Sequence, residues 1–263
     1  MNILIVGSRG FIGSHLSDAL MSYHNIHVCN QDFNKMTEPE RWFPFLENID
    51  AVVNCVGIIK ESKSRTFETT HHKTPVALFQ ACEQKGVKRV IQISALGADP
   101  SATTSYHKTK KQADDFLRQS NLDWFILYPS LVYGENGKSF AFFKKLSNLP
   151  MIPLVGNGQQ LIQPVHIEVL IMVIKAGLES KQTRQSINVV GENPLSYKQW
   201  MQKLRSRNSK PWFLPIPFWM FRLAAFILKP FNLQFLTNDN LSMLQRNNIA
   251  DFTPLKNFLE KLK

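Results

Sequence analysis

The chain has 263 residues, 44% of them hydrophobic, enough for one substantial core or for a large and a small lobe sharing an interface. Thirty-one Lys and Arg against 20 Asp and Glu give a formal charge of +11, which suits phosphorylated ligands or an anionic membrane surface. The chain shows no dense basic run interleaved with aromatics, so nucleic acid is not an expected partner.

The elements follow in chain order. Residues 2–6 read as a buried strand and 11–23 as a helix, with Phe11, Ile12, Leu16 and Leu20 at helical spacing. Strands are predicted over 26–30 and 50–56, a helix over 75–84 ended by Gly86, and a strand over 87–93. A helix over 105–119 and a strand over 124–128 complete the alternation. Continuously apolar strands separated by helices predict an α/β fold: a doubly wound parallel sheet of Rossmann type, covered on both faces. After Gly134 the pattern loosens. A helix over 167–179, a strand over 187–190 and a helix from the N-cap Ser196 to 205 are expected. The domains are therefore 1–150, the Rossmann domain, and 151–263, mainly a small C-terminal lobe with the strand near 187–190 returning to the sheet. Near the end, 218–228 predicts an amphipathic helix between Pro217 and Pro230, with Arg222 and Lys229 as a basic stripe. At about 1.5 Å per residue it is too short to cross a bilayer. It suits packing into the C-terminal lobe or, as the sharper reading, capping an apolar site or touching a membrane.

Cys29, Cys55 and Cys82 are odd in number, far apart and without CxxC spacing, which fits reduced thiols in a cytoplasmic setting. The chain opens directly on a strand pattern, so no signal peptide is expected. His71 and His72 would point about 100° apart on a helix, a poor chelate, and no metal site is expected.

The loop GSRGFIG, Gly7 to Gly13, sits between a strand and a helix, the setting a dinucleotide loop requires. Gly7 serves the tight turn, Gly10 the approach of a pyrophosphate, and Gly13 close helix–strand packing. Ser8, Arg9, Phe11 and Ile12 complete the loop as candidate cofactor contacts. An NAD site usually ends its second strand in Asp or Glu. Here that slot falls on Gln31 or Asn30, both uncharged, with Asp32 one step beyond and pointing elsewhere. Arg9 offers a charge-assisted partner for a 2′-phosphate, as in the similar loop of the NADP-dependent GDP-fucose synthases. NADP(H) is therefore favoured over NAD(H). The alternative is a solvated Arg9, with NAD held by amide contacts.

Tyr106 and Lys110 form a YxxxK pair, four residues apart on one helix face. A phenol titrates near pH 10, and a nearby ammonium favours its phenolate. Lysine also suits the nicotinamide ribose hydroxyls. Ser94, past the end of a strand, is placed to hydrogen-bond a substrate carbonyl or hydroxyl. Tyr106, Lys110 and Ser94 are the candidate catalytic residues; surface charge is the alternative for the lysine.

The stretches DAVVNCVGII, SALGAD, YPSLVYG, PLVGNGQQLIQPVHIEVL and LTNDNLSMLQRNNIAD, with the Tyr-Lys pair, resemble one branch of the atypical short-chain dehydrogenase/reductases. This branch includes the NDUFA-type 39 kDa accessory subunit of respiratory complex I and bacterial epimerase/dehydratase-like proteins. The resemblance covers nearly the whole chain. It implies a Rossmann-type sheet with a small lobe over the nicotinamide, and cofactor contacts at Gly7, Arg9, Gly10, Phe11, Ile12, Gly13, Val56, Gly57 and Pro129. It implies catalytic roles for Tyr106 and Lys110. Tyr128 departs from it, standing where relatives often have arginine. The complex I relatives bind NADPH without an established reaction, so an intact YxxxK does not by itself establish turnover.

Three functions follow as expectations. The first is an NAD(P)H-dependent oxidoreductase on a small carbonyl, alcohol or quinone-like substrate, cytoplasmic, free or at the inner face of a membrane. The second is a non-catalytic NADPH-bearing scaffold or assembly factor for a respiratory or membrane complex. The third, a nucleotide-sugar epimerase or dehydratase, is weaker, because the C-terminal lobe is short and greasy.

Overall fold

The computed structural model describes residues 1–206, 211–227 and 238–260. Its elements are β1 (Asn2–Val6), α1 (Phe11–Leu20), β2 (Asn25–Val28), β3 (Ala51–Asn54), α2 (Thr74–Lys85), β4 (Arg89–Ile93), α3 (Ser105–Gln119) and β5 (Asp123–Pro129). Then come β6 (Val132–Tyr133), α4 (Lys138–Ser147), β7 (Met151–Val155), β8 (Leu161–Ile162), β9 (Val165–His166), α5 (Ile167–Glu179) and β10 (Gln185–Val189). Last are β11 (Leu195–Ser196), α6 (Tyr197–Leu204), β12 (Trp212–Ile216), α7 (Phe218–Ile227), α8 (Asn238–Leu244) and α9 (Thr253–Glu260).

The predicted Rossmann-type architecture is observed. Six parallel strands lie in the order β10-β5-β4-β3-β1-β2. The period-two alternation of each strand feeds two cores. Leu4, Val6, Val52 and Val90 face α2 and α3, while Ile3, Ile5, Val53 and Ile91 face α1 and α5. Chain order reverses between β1 and β3, so a crevice opens at the carboxyl ends of these two strands, where open α/β sheets place their ligands.

Two predicted strands are shorter than their apolar runs. β3 stops at Asn54 rather than at 56, because the Asn54 side-chain oxygen accepts from the Val56 amide at 3.2 Å and turns the chain off the ladder. β2 ends at Val28, at the exposed edge of the sheet. Gly86 ends α2 in the left-handed region at φ +73°, its amide reaching the Cys82 and Glu83 carbonyls. Ser196 caps α6 in a reciprocal box with Gln199.

Besides the returning strand β10, α5 and α9 also lie on the sheet. Leu255 of α9 is fully buried, and the Phe258 ring centroid lies 6.0 Å from that of Phe125. The small lobe has its own core of Phe143, Ile152, Leu154, Ile162, Tyr197, Trp200 and Met201. The predicted helix near 218–228 is present as α7. Leu228, Lys229 and Pro230, and the side chains of Arg222 and Phe226, lie outside the described residues. Among the described residues no helix is long and apolar enough to cross a membrane.

Candidate active site at the sheet switch point

Backbone geometry shapes the glycine loop. Gly7 adopts φ +84°, and its carbonyl accepts from the Gly10 amide at 2.9 Å, which closes the turn. A Cβ on Gly13 would stand 2.2 Å from the Gly7 carbonyl oxygen, so α1 approaches the loop at a distance only glycine allows. The amino end of α1 is thus delivered to the crevice, where its free amides favour an anion.

The crevice is a cavity of about 290 Å³. Of the predicted residues, Gly7, Ser8, Arg9, Gly10, Asn30, Gln31, Val56 and Gly57 line it together. Phe11, Ile12, Gly13 and Pro129 are not among its walls. Phe11 and Ile12 pack into the core beneath α1, and Pro129 is buried at the end of β5 with its carbonyl accepting from the Leu96 amide. Arg9 donates to the Asn30 side-chain oxygen at 3.3 Å, so the loop arginine reaches the end of β2. Asp32 turns to cap the short helical turn after it, accepting from the Asn34 amide and side chain, which hold its carboxyl below the usual range. A second arginine, Arg65, stands in the same wall close enough to Asp32 to help hold that carboxyl down. The sequence reading missed Arg65 because it lies in the irregular stretch between β3 and α2, with no motif to mark it. The cradle that a Cβ would fill, the helix end and the two arginines all fit a dinucleotide phosphate.

Beyond Gly57 the polar groups of β4 and α3 converge. Lys110 is buried and donates to the Ile93 carbonyl at 3.0 Å. Its Nζ lies 5.7 Å from the centre of the Tyr106 ring and 3.7 Å from where a Gly57 Cβ would stand. Burial lowers its pKa to about 8, against the attraction of Asp114. Tyr106 is boxed edge-on by Phe67, His71 and His107, with ring centroids at 5.8, 5.2 and 5.1 Å. The ammonium was expected to favour the phenolate, but burial dominates and pushes the phenol upward. Ser94 turns to Asp114, donating its hydroxyl to Oδ2, instead of standing open for a ligand. Burial pushes Asp114 up to about 6.

Asp114 and His71 are the polar groups that sequence reasoning left aside. Asp114 follows Lys110 by four residues on α3, a spacing that would have flagged it. His71 accepts from the Ile58 amide at Nε2, 3.0 Å, so its proton sits on Nδ1 facing Thr109. Burial keeps it neutral, and it ties the loop after β3 to α3 beneath Tyr106. His72 instead pairs with Glu68 at 3.0 Å, as neighbours pointing apart should. Tyr128 lies against α3, its hydroxyl accepting from Arg118. Cys29, Cys55 and Cys82 are unpaired, and burial raises all three thiols, Cys55 to about 12.

Sheet order, glycine loop and crevice together define a Rossmann-type dinucleotide fold, similar to that of the short-chain dehydrogenase/reductases. Residues 20–149 match a family described as NAD(P)H-binding. The chain is similar to an epimerase family protein of Arabidopsis thaliana, the chloroplastic SDR39U1 homolog, with 22% identity over 82% of this chain and 74% of that protein. It is 23% identical to NADH dehydrogenase (ubiquinone) 1 alpha subcomplex subunit 9 of Mus musculus over 80% of this chain but 56% of that protein. The resemblance to the complex I subunit branch is thereby borne out. Among solved structures, the dTDP-4-dehydrorhamnose reductase of Bacillus anthracis in complex with NADP superposes with a TM-score of 0.69 at 16% identity, over 82% of this chain and 84% of that one, a likeness of fold.

Proposed function

We propose that the chain is an NADP(H)-dependent oxidoreductase of a small carbonyl, alcohol or quinone-like substrate, with Tyr106 as proton donor and Lys110 as its support. The observation that carries this reading is the buried Lys110 ammonium between the crevice wall at Gly57 and the Tyr106 ring. A bound dinucleotide supplies the hydride from its nicotinamide. Tyr106, a phenol protonated at neutral pH and pushed further upward by burial, gives its proton to the substrate oxygen. Lys110, steered by the Ile93 carbonyl, offsets the negative charge left on the phenol oxygen. Ser94 reaches a substrate by rotating away from Asp114. Gly7, Ser8, Gly10, Val56 and Gly57 supply the contact surface, while Phe11, Ile12, Gly13 and Pro129 shape it from behind. Arg9 and Arg65, in a wall with Asn30 and Gln31 at the end of β2, support NADP(H) over NAD(H). The three unpaired cysteines support a reducing, cytoplasmic compartment.

A second reading is a dinucleotide-bearing scaffold for a respiratory or membrane complex. It is favoured by the closed pairings of Ser94 with Asp114 and Lys110 with Ile93, which leave these groups satisfied without substrate. The mouse relative is, by its name, a subunit of NADH dehydrogenase.

The test is NADPH oxidation over a panel of ketones and quinones, in wild type and Tyr106→Phe. Tyr106→Phe should slow turnover about a hundredfold or more, with dinucleotide affinity unchanged. A fully active Tyr106→Phe removes Tyr106 from the chemistry. Tight dinucleotide binding with no turnover on any substrate moves the assignment to the scaffold.

A further inference from the structure

The net charge is not spread over the molecule. Residues 136–238 hold thirteen Lys and Arg and three Asp and Glu, a net of +10, against +1 for all the rest. Within that segment, 136–167 and 193–238 contain no acidic residue. These two stretches supply α4, β7, β8, α6, β12 and α7, the body of the small lobe.

The same lobe presents apolar side chains to solvent. β7 and β12 pair in parallel, with Met151 beside Trp212 and Pro153 beside Leu214. Strand alternation buries Ile152 and Leu154 and turns Met151, Trp212 and Leu214 outward, 51%, 80% and 43% exposed. Leu149, just before β7, is exposed as well. Two residues past β12, α7 begins; its Trp219, Met220 and Leu223 share one face and are 64%, 44% and 50% exposed. Seven of the fourteen exposed large hydrophobic side chains among the described residues fall in 149–151 and 212–223, so this is a cluster and not scatter.

Cations border it. Lys144 and Lys145 are exposed at the end of α4, just before Leu149. Arg205 is held at the same edge by the Ser147 and Leu149 carbonyls, at 2.6 and 2.8 Å. Lys198 Nζ stands 5.0 Å from the Phe213 ring centre on β12.

We propose that the small lobe docks peripherally on an anionic lipid bilayer through β7, β12 and α7. Tryptophans settle at the boundary of headgroup and acyl chain, aliphatic side chains enter just below, and lysines meet the phosphates. Stretches without a carboxylate of their own meet little repulsion from anionic headgroups. Nucleic acid would engage the cations and the indoles but gains little from Leu149, Met151, Leu214, Met220 and Leu223, which offer no ring to stack on a base. Docking needs no spanning helix; α7 has ten residues, about 15 Å, half the thickness of a bilayer core.

The experiment is co-sedimentation of the full chain with vesicles of phosphatidylcholine alone and of phosphatidylcholine with about one third phosphatidylglycerol. The protein should pellet with the anionic vesicles only and be released as salt rises. Lys144→Glu with Lys145→Glu should weaken binding about tenfold or more. Trp212→Ser with Trp219→Ser should weaken it at least as much. Both variants should melt and bind dinucleotide as wild type, because neither pair lines the crevice. If the tryptophan pair does not fold, Met151→Ser with Leu214→Ser makes the same comparison. Protein left in the supernatant with every vesicle overturns the proposal. So does vesicle binding indifferent to charge reversal, or a preference for a single-stranded RNA oligonucleotide over anionic vesicles.

Discussion

Gly13→Ala is the sharpest probe of the glycine loop. The added Cβ would stand 2.2 Å from the Gly7 carbonyl oxygen, 2.8 Å from the Gly7 carbonyl carbon and 2.8 Å from the Ser8 Cα. All three obstacles are main chain, so no rotamer change relieves them, and the loop must retreat by roughly 1 Å. Alanine in a helix recovers about 0.5–1 kcal/mol over glycine. Overpacking against rigid backbone costs about 1–3 kcal/mol or more. The net is a loss of about 1–2 kcal/mol and a fall in melting temperature of about 2–8 °C for a chain of this size. The same retreat displaces Gly7 and Ser8, two walls of the crevice, so dinucleotide affinity should fall about tenfold or more, the scale of one lost hydrogen bond. Thermal melts followed by circular dichroism and dinucleotide titration read both effects. Gly86→Ala is the control. Its φ of +73° is strained for alanine but open space surrounds it, so it should lose stability without losing affinity. A Gly13→Ala variant that melts and binds as wild type would refute the close approach on which the crevice depends.

Arg65→Ala and Arg9→Ala should each weaken NADPH binding about tenfold or more and leave NADH nearly unchanged, as loss of a charge-assisted contact to a 2′-phosphate requires; equal losses for the two dinucleotides would remove both arginines from that role. Asp114 holds its proton more tightly folded than unfolded, with a pKa raised from 3.8 to about 6. Its contribution is fully present below the unfolded value and is lost as pH rises through about 6, a cost of about 3 kcal/mol at roughly 1.4 kcal/mol per unit. Denaturant unfolding across this window should therefore show stability declining more steeply with rising pH in wild type than in Asp114→Asn, and parallel curves would contradict the buried carboxyl.

Short-range patterns made much of the fold legible. The runs Ile3–Val6 and Ala51–Val53, the glycine spacing from Gly7 to Gly13, the stop at Gly86 and the cap at Ser196 each act within a few residues, and each appears where its local chemistry requires. The uncharged end of β2 was equally readable, because a missing carboxylate shows in the sequence itself. Only the tertiary structure brought Arg65 into the wall of Arg9, set His71 beneath Tyr106 and turned Ser94 onto Asp114. It also reversed the expected influence on Tyr106, since an ammonium's attraction can be guessed from spacing but the burial that outweighs it cannot. The basic bias of residues 136–238 was countable from the start, yet the exposure of Trp212 and Trp219 depends on which faces the lobe core covers. Periodicity, turn chemistry and composition are carried by neighbours in the chain. Desolvation and the convergence of side chains from β3, β4 and α3 come from segments tens of residues apart, and they exist only once the sheet has closed around them.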